Sequence, residues 1–448
     1  MDWGQIASAQ VRILRIVTYN IEADINGVTM PLPGLIAPVN DTNNVQAGGV
    51  LEGIGEEISG ADSAQPIDIL ALQETTSNPV TIAPIVSGLN AFYAYHTIAA
   101  TYTNSTYQAT ESGGATGSGN GPNALVYNTR TLQLLASVPV NPPGGISKLG
   151  SNSGEYRQVM RYAFAPAGIA ATTTNTFYVY VSHYKSSASG TEATNQLYRA
   201  AEAAFIRDDA ATNLPSNPRI LYVGDYNLGG SDEAQYQILV SNAAPNGVMQ
   251  GQGIDPLNPS GANNIDWTAN SLLNNKTDAS TSLHYRDDFE LMTTNIYYGS
   301  GNGLKWVSGT YHTFGNNGTT PYKASVTSAA NTSLNSKLAP GSIISAATLY
   351  QDLASASDHL PVVADYTIPV PAPVIMSVSR TGANLIFNVN NAATNGTYIC
   401  LMTTNVWSQP TNATAVMTNI SGGNAFAFTL TNAVDRNASS RFYRILYP

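Results

Sequence analysis

In the segment RILYVGDYNLGG, from Arg219 to Gly230, a short apolar run leads directly into polar residues. The run from Ile220 to Val223 predicts a buried strand, and the glycines beside it predict a turn where the strand ends. Asp225 and Asn227 follow the run, and their side chains share one side if the chain stays extended. Such a strand end indicates either a ligand site of an α/β sheet or a turn whose Asp and Asn cap their own backbone.

Strand and helix patterns are interspersed along most of the chain. Short runs rich in aliphatic, β-branched and aromatic residues predict strands in VRILRIVTYNI, PIDILALQE, NALVYN, RQVMRYAFA, TFYVYVSHYKS, RDDFELMT and PVVADYTI. Apolar residues at helical spacing predict helices in GGVLEGIGEEISG and GTEATNQLYRAAEAAFIRDDAA. This order is typical of an α/β or α+β protein in which sheets pack on each other with helices outside.

A proline-rich segment indicates a domain boundary. TIPVPAPVI, from Thr367 to Ile375, has three prolines in nine residues, a composition typical of a linker. Beyond it no helix pattern is found, and short alternating runs separated by turn residues predict a small β-sandwich. We therefore predict two domains in the 448 residues, a larger one over 1–368 and a smaller accessory module over 372–448.

Composition restricts the class of protein. Only 11% of the residues are charged while Asn, Thr, Ser and Gly are abundant, which favours a secreted or cell-surface bacterial protein. The net charge of −10 argues against non-specific binding of polyanions through a basic face. Cys400 is the only cysteine, so an intramolecular disulfide is impossible and no disulfide-linked partner is indicated. No apolar run is long enough to predict a membrane span, and MDWGQIASAQVRI lacks the pattern of a signal peptide.

Polar residues end or flank several of the predicted strands. Each of them alone has an ordinary structural explanation as a cap or a turn residue. Six positions of complementary chemistry, all at strand ends, favour a common site instead. Besides the pair in GDYN, they are Asn20 in TYN, Glu74 in LQE, His183 and Lys185 in SHYKS, Asp287 and Asp288 in RDDF, and Asp358 and His359 in SDHLP.

The ordered set TYNI, LQE, SHYKS, GDYN, RDDF and SDHLP resembles the endonuclease/exonuclease/phosphatase superfamily. Members of that superfamily include pancreatic deoxyribonuclease, apurinic endonucleases, sphingomyelinases and inositol phosphatases. The resemblance extends from about Leu14 to Ile368, with the motifs in the family order. It implies a four-layer sandwich of two mixed β-sheets flanked by helices, with the active site at one end of the sheets.

The resemblance also implies roles for single residues. Asn20, Glu74 and Asp358 correspond to residues at the metal, with Glu74 as the main carboxylate ligand. Asp225 and Asn227 correspond to the pair that handles the attacking water and the phosphate oxygens.

Two histidines correspond to catalytic residues of the family. His183 corresponds to the histidine that contacts the phosphoryl group, and His359 to the terminal catalytic histidine. Asp288 corresponds to the carboxylate that orients His359, and Asp287 is the alternative one residue away. The glutamate that family nucleases place behind the first histidine has no evident counterpart for His183.

Cationic residues correspond to phosphate contacts. Arg157 in YRQVMRY resembles a family arginine that reaches a phosphate, although Arg161 lies nearby, and Lys185 could contribute a second cation.

These residue types suit the hydrolysis of a phosphate ester. A phosphodiester is anionic, so a hard cation such as Mg²⁺, or Mn²⁺ or Ca²⁺ in its place, neutralises developing charge and takes oxygen ligands. We predict a metal-dependent phosphodiesterase, with nucleic acid as the expected substrate of a secreted nuclease. Two alternatives are a lipid- or inositol-phosphate-directed enzyme of the same superfamily and a catalytically degenerate protein used for binding or adhesion.

Overall fold

The computed structural model describes residues 10–23, 33–37, 42–59, 63–76, 78–105, 121–141, 156–157, 159–187, 190–241, 250–270, 272–370, 374–390, 397–404, 414–420, 425–433 and 441–446. The chain divides into two compact units. The larger unit comprises Ile13–Phe164 and Thr173–Thr367, and the smaller comprises Met1–Arg12, Ala165–Thr172 and Ile368–Pro448.

The described residues up to 370 form fifteen strands and seven α-helices. The strands are β1 (Gln10–Asn20), β2 (Ile58–Ser59), β3 (Ser63–Ala64), β4 (Ile67–Gln73), β5 (Tyr102–Asn104), β6 (Ala124–Asn128), β7 (Leu132–Val140), β8 (Val159–Pro166), β9 (Phe177–His183), β10 (Ile220–Asp225), β11 (Gly253–Ile254), β12 (Asp288–Thr293), β13 (Lys305–Trp306), β14 (His312–Thr313) and β15 (Val362–Val370). The helices are α1 (Thr42–Ala47), α2 (Val50–Glu56), α3 (Ala83–Tyr95), α4 (Glu192–Asn213), α5 (Ala234–Val240), α6 (Thr294–Tyr297) and α7 (Ala346–Ala356).

Two mixed sheets form the centre of the larger unit. The first has the order β13–β15–β1–β4–β6–β5, with β14 also paired to β15, and the second has the order β11–β12–β10–β9–β8–β7. Strands β1 and β4 are parallel, as are β9 and β10, whereas β6 and β12 run antiparallel to their neighbours β4 and β10.

The sheets pack face to face, because β4 contacts both β9 and β10. Every residue of β4 and of β10 is buried, as expected for strands covered on both faces. Helices α2, α3 and α7 contribute Ile54, Phe92 and Leu353 to the core outside the first sheet, and α4 and α5 contribute Phe205 and Leu239 outside the second. The predicted four-layer sandwich is confirmed.

Strand direction brings polar residues together at one edge of the sandwich. In the parallel pair β1–β4, Asn20 lies beside Gln73, the last residue before Glu74. In the second sheet, Asp225 pairs with His183 on one side and with Asp288 on the other.

Gly224 allows β10 to approach β9 immediately before Asp225. Its φ is +146°, and a Cβ atom at this position would lie 1.9 Å from the carbonyl oxygen of Ser182. A side chain is therefore sterically excluded at the position that precedes the carboxylate.

The described strands of the smaller unit beyond residue 370 form a β-sandwich, as predicted. Strands β16 (Val374–Thr381), β17 (Asn384–Asn390) and β20 (Ala425–Leu430) form one sheet, and β18 (Thr397–Thr403), β19 (Thr414–Ile420) and β21 (Phe442–Leu446) form the other. Side chains from both sheets share one core, which includes Phe387, Tyr398, Cys400, Phe428 and Ile445. None of the helices that the structure describes has the length and apolar character needed to cross a bilayer.

Candidate active site

The amide of Asn20 lies at the centre of the candidate site. Its Nδ2 atom donates hydrogen bonds to Glu74 Oε1 at 3.1 Å and to Asp225 Oδ2 at 3.0 Å. The same nitrogen lies 3.4 Å from Nε2 of His359. One buried amide thus joins residues from the ends of β1, β4 and β10, and it holds two carboxylates close together.

His183 faces the same two carboxylates. Its Nε2 atom lies 3.6 Å from Glu74 Oε1 and 3.5 Å from Asp225 Oδ2. Ligand atoms of these three buried residues all lie within 4.8 Å of one another. Two carboxylates and an imidazole are a suitable donor set for a divalent cation. Among the described residues, Nδ1 of His183 is buried without a hydrogen-bond partner, in keeping with the missing glutamate.

Asp288 is the carboxylate that contacts His359. Nδ1 of His359 donates to Asp288 Oδ2 at 2.8 Å, and Asp288 is the first residue of β12. Asp287 is half-buried just before the strand, and its carbonyl oxygen accepts a hydrogen bond from the amide of Tyr226. Burial and the carboxylates of Asp278 and Asp225 raise the pKa of Asp287 well above its usual value.

The segment that carries His359 is tied to the end of β1. The hydroxyl of Ser357 donates to the carbonyl oxygen of Asn20 at 2.7 Å and accepts a hydrogen bond from the amide of His359 at 3.0 Å. The amide of Asp358 donates to Glu22 Oε2 at 3.0 Å, and the amide of Glu22 donates to Asn20 Oδ1 at 3.1 Å. Glu22, which the sequence analysis did not select, belongs to the site.

The two carboxylate oxygens of Asp225 in the GDYN segment have different partners. Oδ1 accepts hydrogen bonds from N and Nδ2 of Asn227, both at 3.0 Å, and therefore caps the turn. Oδ2 faces Asn20 and His183 in the site. The chain does not stay extended, because Asn227 has a φ of +51°. Its Nδ2 also donates to the carbonyl oxygen of Tyr184 at 3.1 Å. The side chain of Asn227 therefore turns back onto Asp225, whereas an extended chain would have placed the two side chains next to each other.

Left-handed backbone recurs among the polar residues of the site. Glu22, Glu74 and Asn227 have φ values of +49°, +54° and +51°. This region is uncommon for residues other than glycine, and a non-glycine residue held there costs on the order of 1–3 kcal/mol. Each of the three lies one or two residues beyond the end of a strand.

Asp358 and Asp278 form a second group with His359. A carboxylate oxygen of each lies within 4.8 Å of the other and of a ring nitrogen of His359. Asp358, which was expected near the metal, is half-exposed and lies 3.8 Å from Nε2 of His359. Asp278 had no sequence signal, because it lies in a loop without an apolar run on either side.

Electrostatics show that the site carries an excess of negative charge. Burial, together with the charge of Asp288, raises the pKa of Asp225 to about 7, although His359 partly offsets the rise. Burial and the neighbouring Asp358 likewise raise the pKa of Glu22 to about 7. A divalent cation would neutralise these groups, so the residues present fit the metal that the resemblance implies.

The two histidines differ in charge. Burial, reinforced by the charges of Arg157 and His359, lowers the pKa of His183 well below its usual value, so His183 is neutral. Burial alone would lower the pKa of His359 too, but the carboxylates of Asp288 and Asp358 outweigh burial and raise it well above its usual value. His359 is therefore an imidazolium that can donate from Nε2.

Helix α4 holds the segments that carry the expected phosphate contacts. Buried Glu202 accepts a hydrogen bond from the amide of Arg157 at 2.5 Å, and Arg199 donates to the carbonyl oxygen of Lys185 at 2.9 Å. The charges of Arg157 and Lys185 both lower the pKa of His183, so the two cations lie within electrostatic range of it. Arg161 instead pairs with Asp209 at 2.5 Å, so Arg157 is the arginine that the fold brings to the site.

Comparison with known proteins gives similarity at the level of solved structures only. No protein-family profile matches the sequence, and no curated protein sequence matches it significantly. The structure is similar to the catalytic domain of human Nocturnin with bound sulfate, at 14% identity and a TM-score of 0.42 over 80% of this chain and 97% of that chain. It is similar to an endonuclease/exonuclease/phosphatase family protein from Bacteroides thetaiotaomicron, at 11% identity and a TM-score of 0.39 over 81% and 97% of the two chains. A third is the endonuclease/exonuclease/phosphatase from Bacteroides vulgatus, at 13% identity and a TM-score of 0.39 over 79% and 98%.

Two of these three structures are named as members of the family that the sequence motifs resemble. At these identities and TM-scores the likeness carries no inference about activity.

Proposed function

We propose that this protein is a divalent-metal-dependent phosphodiester hydrolase that acts on nucleic acid and is exported from a bacterial cell. The observation that carries the proposal is the convergence at Asn20. Its amide holds Glu74 and Asp225 together, and the imidazolium of His359 lies 3.4 Å away. The hydrolysis of an anionic ester requires carboxylates that hold a cation and, next to them, a charged group that donates hydrogen bonds.

Glu74, Asp225 and His183 would hold the metal. Mg²⁺ is the first choice because most of the donors are oxygens, and Mn²⁺ or Ca²⁺ could take its place. When bound, the cation supplies positive charge to the phosphate oxygens and lowers the pKa of a bound water.

Protein groups provide the remaining functions. Asp225, in the group that would hold the metal, would accept a hydrogen bond from the attacking water and orient it. His359, held by Asp288, donates a hydrogen bond from Nε2 to a phosphoryl oxygen, and Arg157 and Lys185 add positive charge beside His183. Asn227 keeps Asp225 in its orientation.

The choice of nucleic acid rests on what the other substrates require. Lipid-directed relatives need an exposed apolar hairpin, and the sequence has no convincing candidate for one. Inositol phosphates favour basic surroundings, whereas LGGSDE after GDYN is acidic. A degenerate binding protein would be expected to lack at least one polar group of the six motifs, and all six motifs retain theirs.

Hydrolysis of four substrates in parallel tests the proposal. Plasmid DNA, RNA, sphingomyelin vesicles and a simple aryl phosphodiester are incubated with the full chain in Mg²⁺, Mn²⁺, Ca²⁺ or EDTA. We expect metal-dependent cleavage of DNA or RNA and of the aryl ester, and none in EDTA or with His359→Ala. Exclusive hydrolysis of sphingomyelin would transfer the protein to the lipid-directed class. Absence of hydrolysis with every metal and substrate would support the binding function instead.

A further inference from the structure

Tyr285 lies beside the candidate site and is joined to Asp278 by backbone hydrogen bonds. The amide of Tyr285 donates to the carbonyl oxygen of Asp278 at 2.9 Å, and the amide of Asp278 donates to the carbonyl oxygen of Tyr285 at 3.2 Å. Asp278 is in turn an antiparallel bridge partner of His359. Directly opposed residues of antiparallel segments place their side chains on the same face, about 5 Å apart at Cβ. Tyr285, Asp278 and His359 therefore line one face in a row.

The ring of Tyr285 is exposed although it lies next to this charged site. Tyr285 is 38% exposed, which is high for a large side chain on a paired segment. The ring of His284 packs against it at a centroid distance of 3.8 Å. The ring of Tyr285 thus presents an aromatic face to solvent. Two steps of about 5 Å between neighbouring segments separate it from His359, which gives a distance on the order of 10 Å.

This placement matches the dimensions of a nucleotide. A base attached through its sugar to a phosphate beside His359 can reach Tyr285, and every base offers a planar face for stacking. We propose that Tyr285 is a binding residue that stacks on the base of a nucleotide adjoining the scissile phosphodiester. The proposal rests on the proposed hydrolase function and narrows its substrate to one that carries a base.

A double-mutant cycle tests the proposal, in which one change is made in the protein and the other in the substrate. The substrates are a deoxydinucleotide, which has a single phosphodiester, and two analogues in which hydrogen replaces the base on the 5′ or the 3′ side. We expect Tyr285→Ala to lower kcat/KM for the dinucleotide about tenfold, within the range found for loss of one stacked base. Removal of one of the two bases should cost the wild type a similar factor, and the two changes together should cost little more than either alone.

Control variants separate stacking from other effects. Tyr285→Phe and Tyr285→Trp keep an aromatic face and should retain most of the activity. Tyr298→Ala removes another tyrosine, 72% exposed at the end of α6, and should not change the dinucleotide kinetics.

Several outcomes would overturn the proposal. They are additive losses in the cycle, a loss with Tyr298→Ala as large as with Tyr285→Ala, or a selective loss on sphingomyelin with none on the dinucleotide. Wild-type protein that hydrolyses the aryl phosphodiester but no dinucleotide would overturn it and leave the hydrolase function intact. Failure with every phosphodiester would instead refute the hydrolase function itself.

Discussion

Oδ2 of Asp288 accepts a hydrogen bond from Nδ1 of His359 at 2.8 Å, across 71 positions of sequence. The carboxylate is fully buried and the imidazole nearly so. The pair fixes the orientation of the ring and the site of its proton, because only Nε2 is left to face a substrate. The charge of Asp288 also opposes the effect of burial on the histidine.

We expect His359→Ala and Asp288→Asn each to lower kcat by about 10²–10⁴-fold, the usual scale for general acid–base groups. The double variant should be little slower than His359→Ala alone, because Asp288 acts through His359 and residues that act as a unit give non-additive losses. Rates at saturating metal, with folding checked by circular dichroism, decide this. Additive losses would show that the two residues act independently.

Asp287→Asn is the matched control for this pair. Asp287 lies next to Asp288 in sequence and carries the same carboxyl group, but no hydrogen bond joins it to His359 among the described contacts. Its substitution should therefore cost much less than that of Asp288. A greater loss with Asp287→Asn than with Asp288→Asn would reverse their assignment.

Glu74→Gln should weaken metal binding while it preserves the shape of the side chain. The change removes a charged oxygen from the group formed with His183 and Asp225. We expect the Mg²⁺ concentration for half-maximal activity to rise more than about tenfold, since even indirect partners of a metal act on that scale. Calorimetric titration with Mn²⁺ measures the same loss without turnover.

Asp358→Asn is the control for the metal site, because Asp358 belongs to a different group, with Asp278 and His359. It should change the metal requirement less than Glu74→Gln does. The reverse order would place the metal at Asp358.

Loss of one partner from the buried ion pair of Arg286 and Asp255 is expected to lower the free energy of unfolding. Arg286 makes two hydrogen bonds to Asp255, at 2.7 and 2.9 Å, and its guanidinium lies 4.0 Å from the ring centre of Phe289. Asp255→Ala leaves that charge buried without its partner, which should cost about 3–5 kcal/mol in the free energy of unfolding. Urea titration measures the loss, and Asp232→Ala at an exposed position should stay within about 0.5 kcal/mol. Equal effects of the two variants would contradict this assignment.

Glu202 should make stability depend on pH. Burial raises the pKa of Glu202 to about 8 in the folded protein, from an ordinary value of 4.5. The stabilisation is therefore complete below about pH 4.5 and is lost as the pH rises towards and through 8, because only the unfolded chain ionises freely in that window. Glu202→Gln removes this loss, so the variant should gain stability relative to the wild type between about pH 5 and 8. A difference in the free energy of unfolding between the two proteins that is the same at every pH would exclude the raised pKa of Glu202.

Truncation tests the predicted domain boundary. Strand β15 ends at Val370, and all six sequence motifs precede it. A chain that ends at Val370 should therefore fold and retain hydrolysis of the aryl phosphodiester. A folded but inactive product would show that the accessory module contributes to catalysis.

The sequence predicted those parts of the site that follow strands. Asn20, Glu74, His183 and Asp225 each end or follow a contiguous apolar run, and parallel pairing brings such ends to the same edge. Sequence alone could not decide between Asp287 and Asp288, because the strand begins between them and one residue of register exchanges their directions.

Residues placed by tertiary contacts were missed. Asp278 reaches His359 only through pairing of a loop with a segment 81 positions later, and no local pattern encodes such a contact. Asn227 was expected beside Asp225 on an extended chain, whereas its left-handed backbone turns it back onto that carboxylate. Glu22 lies only two residues from Asn20, but a single glutamate after a strand has many ordinary explanations.

The left-handed backbone at Glu74 sets stability against function at this position. Glycine adopts such a conformation freely, so Glu74→Gly would relieve steric strain and remove a carboxylate from the site in the same step. Asn227 differs, because glycine there would lose the hydrogen bonds of its side chain to Asp225 and to the carbonyl oxygen of Tyr184. A selection for thermal tolerance alone would therefore favour glycine in place of Glu74 and yield a more stable protein without its chemistry. Directed evolution of heat-resistant variants should hold this codon constant, or screen every survivor for turnover.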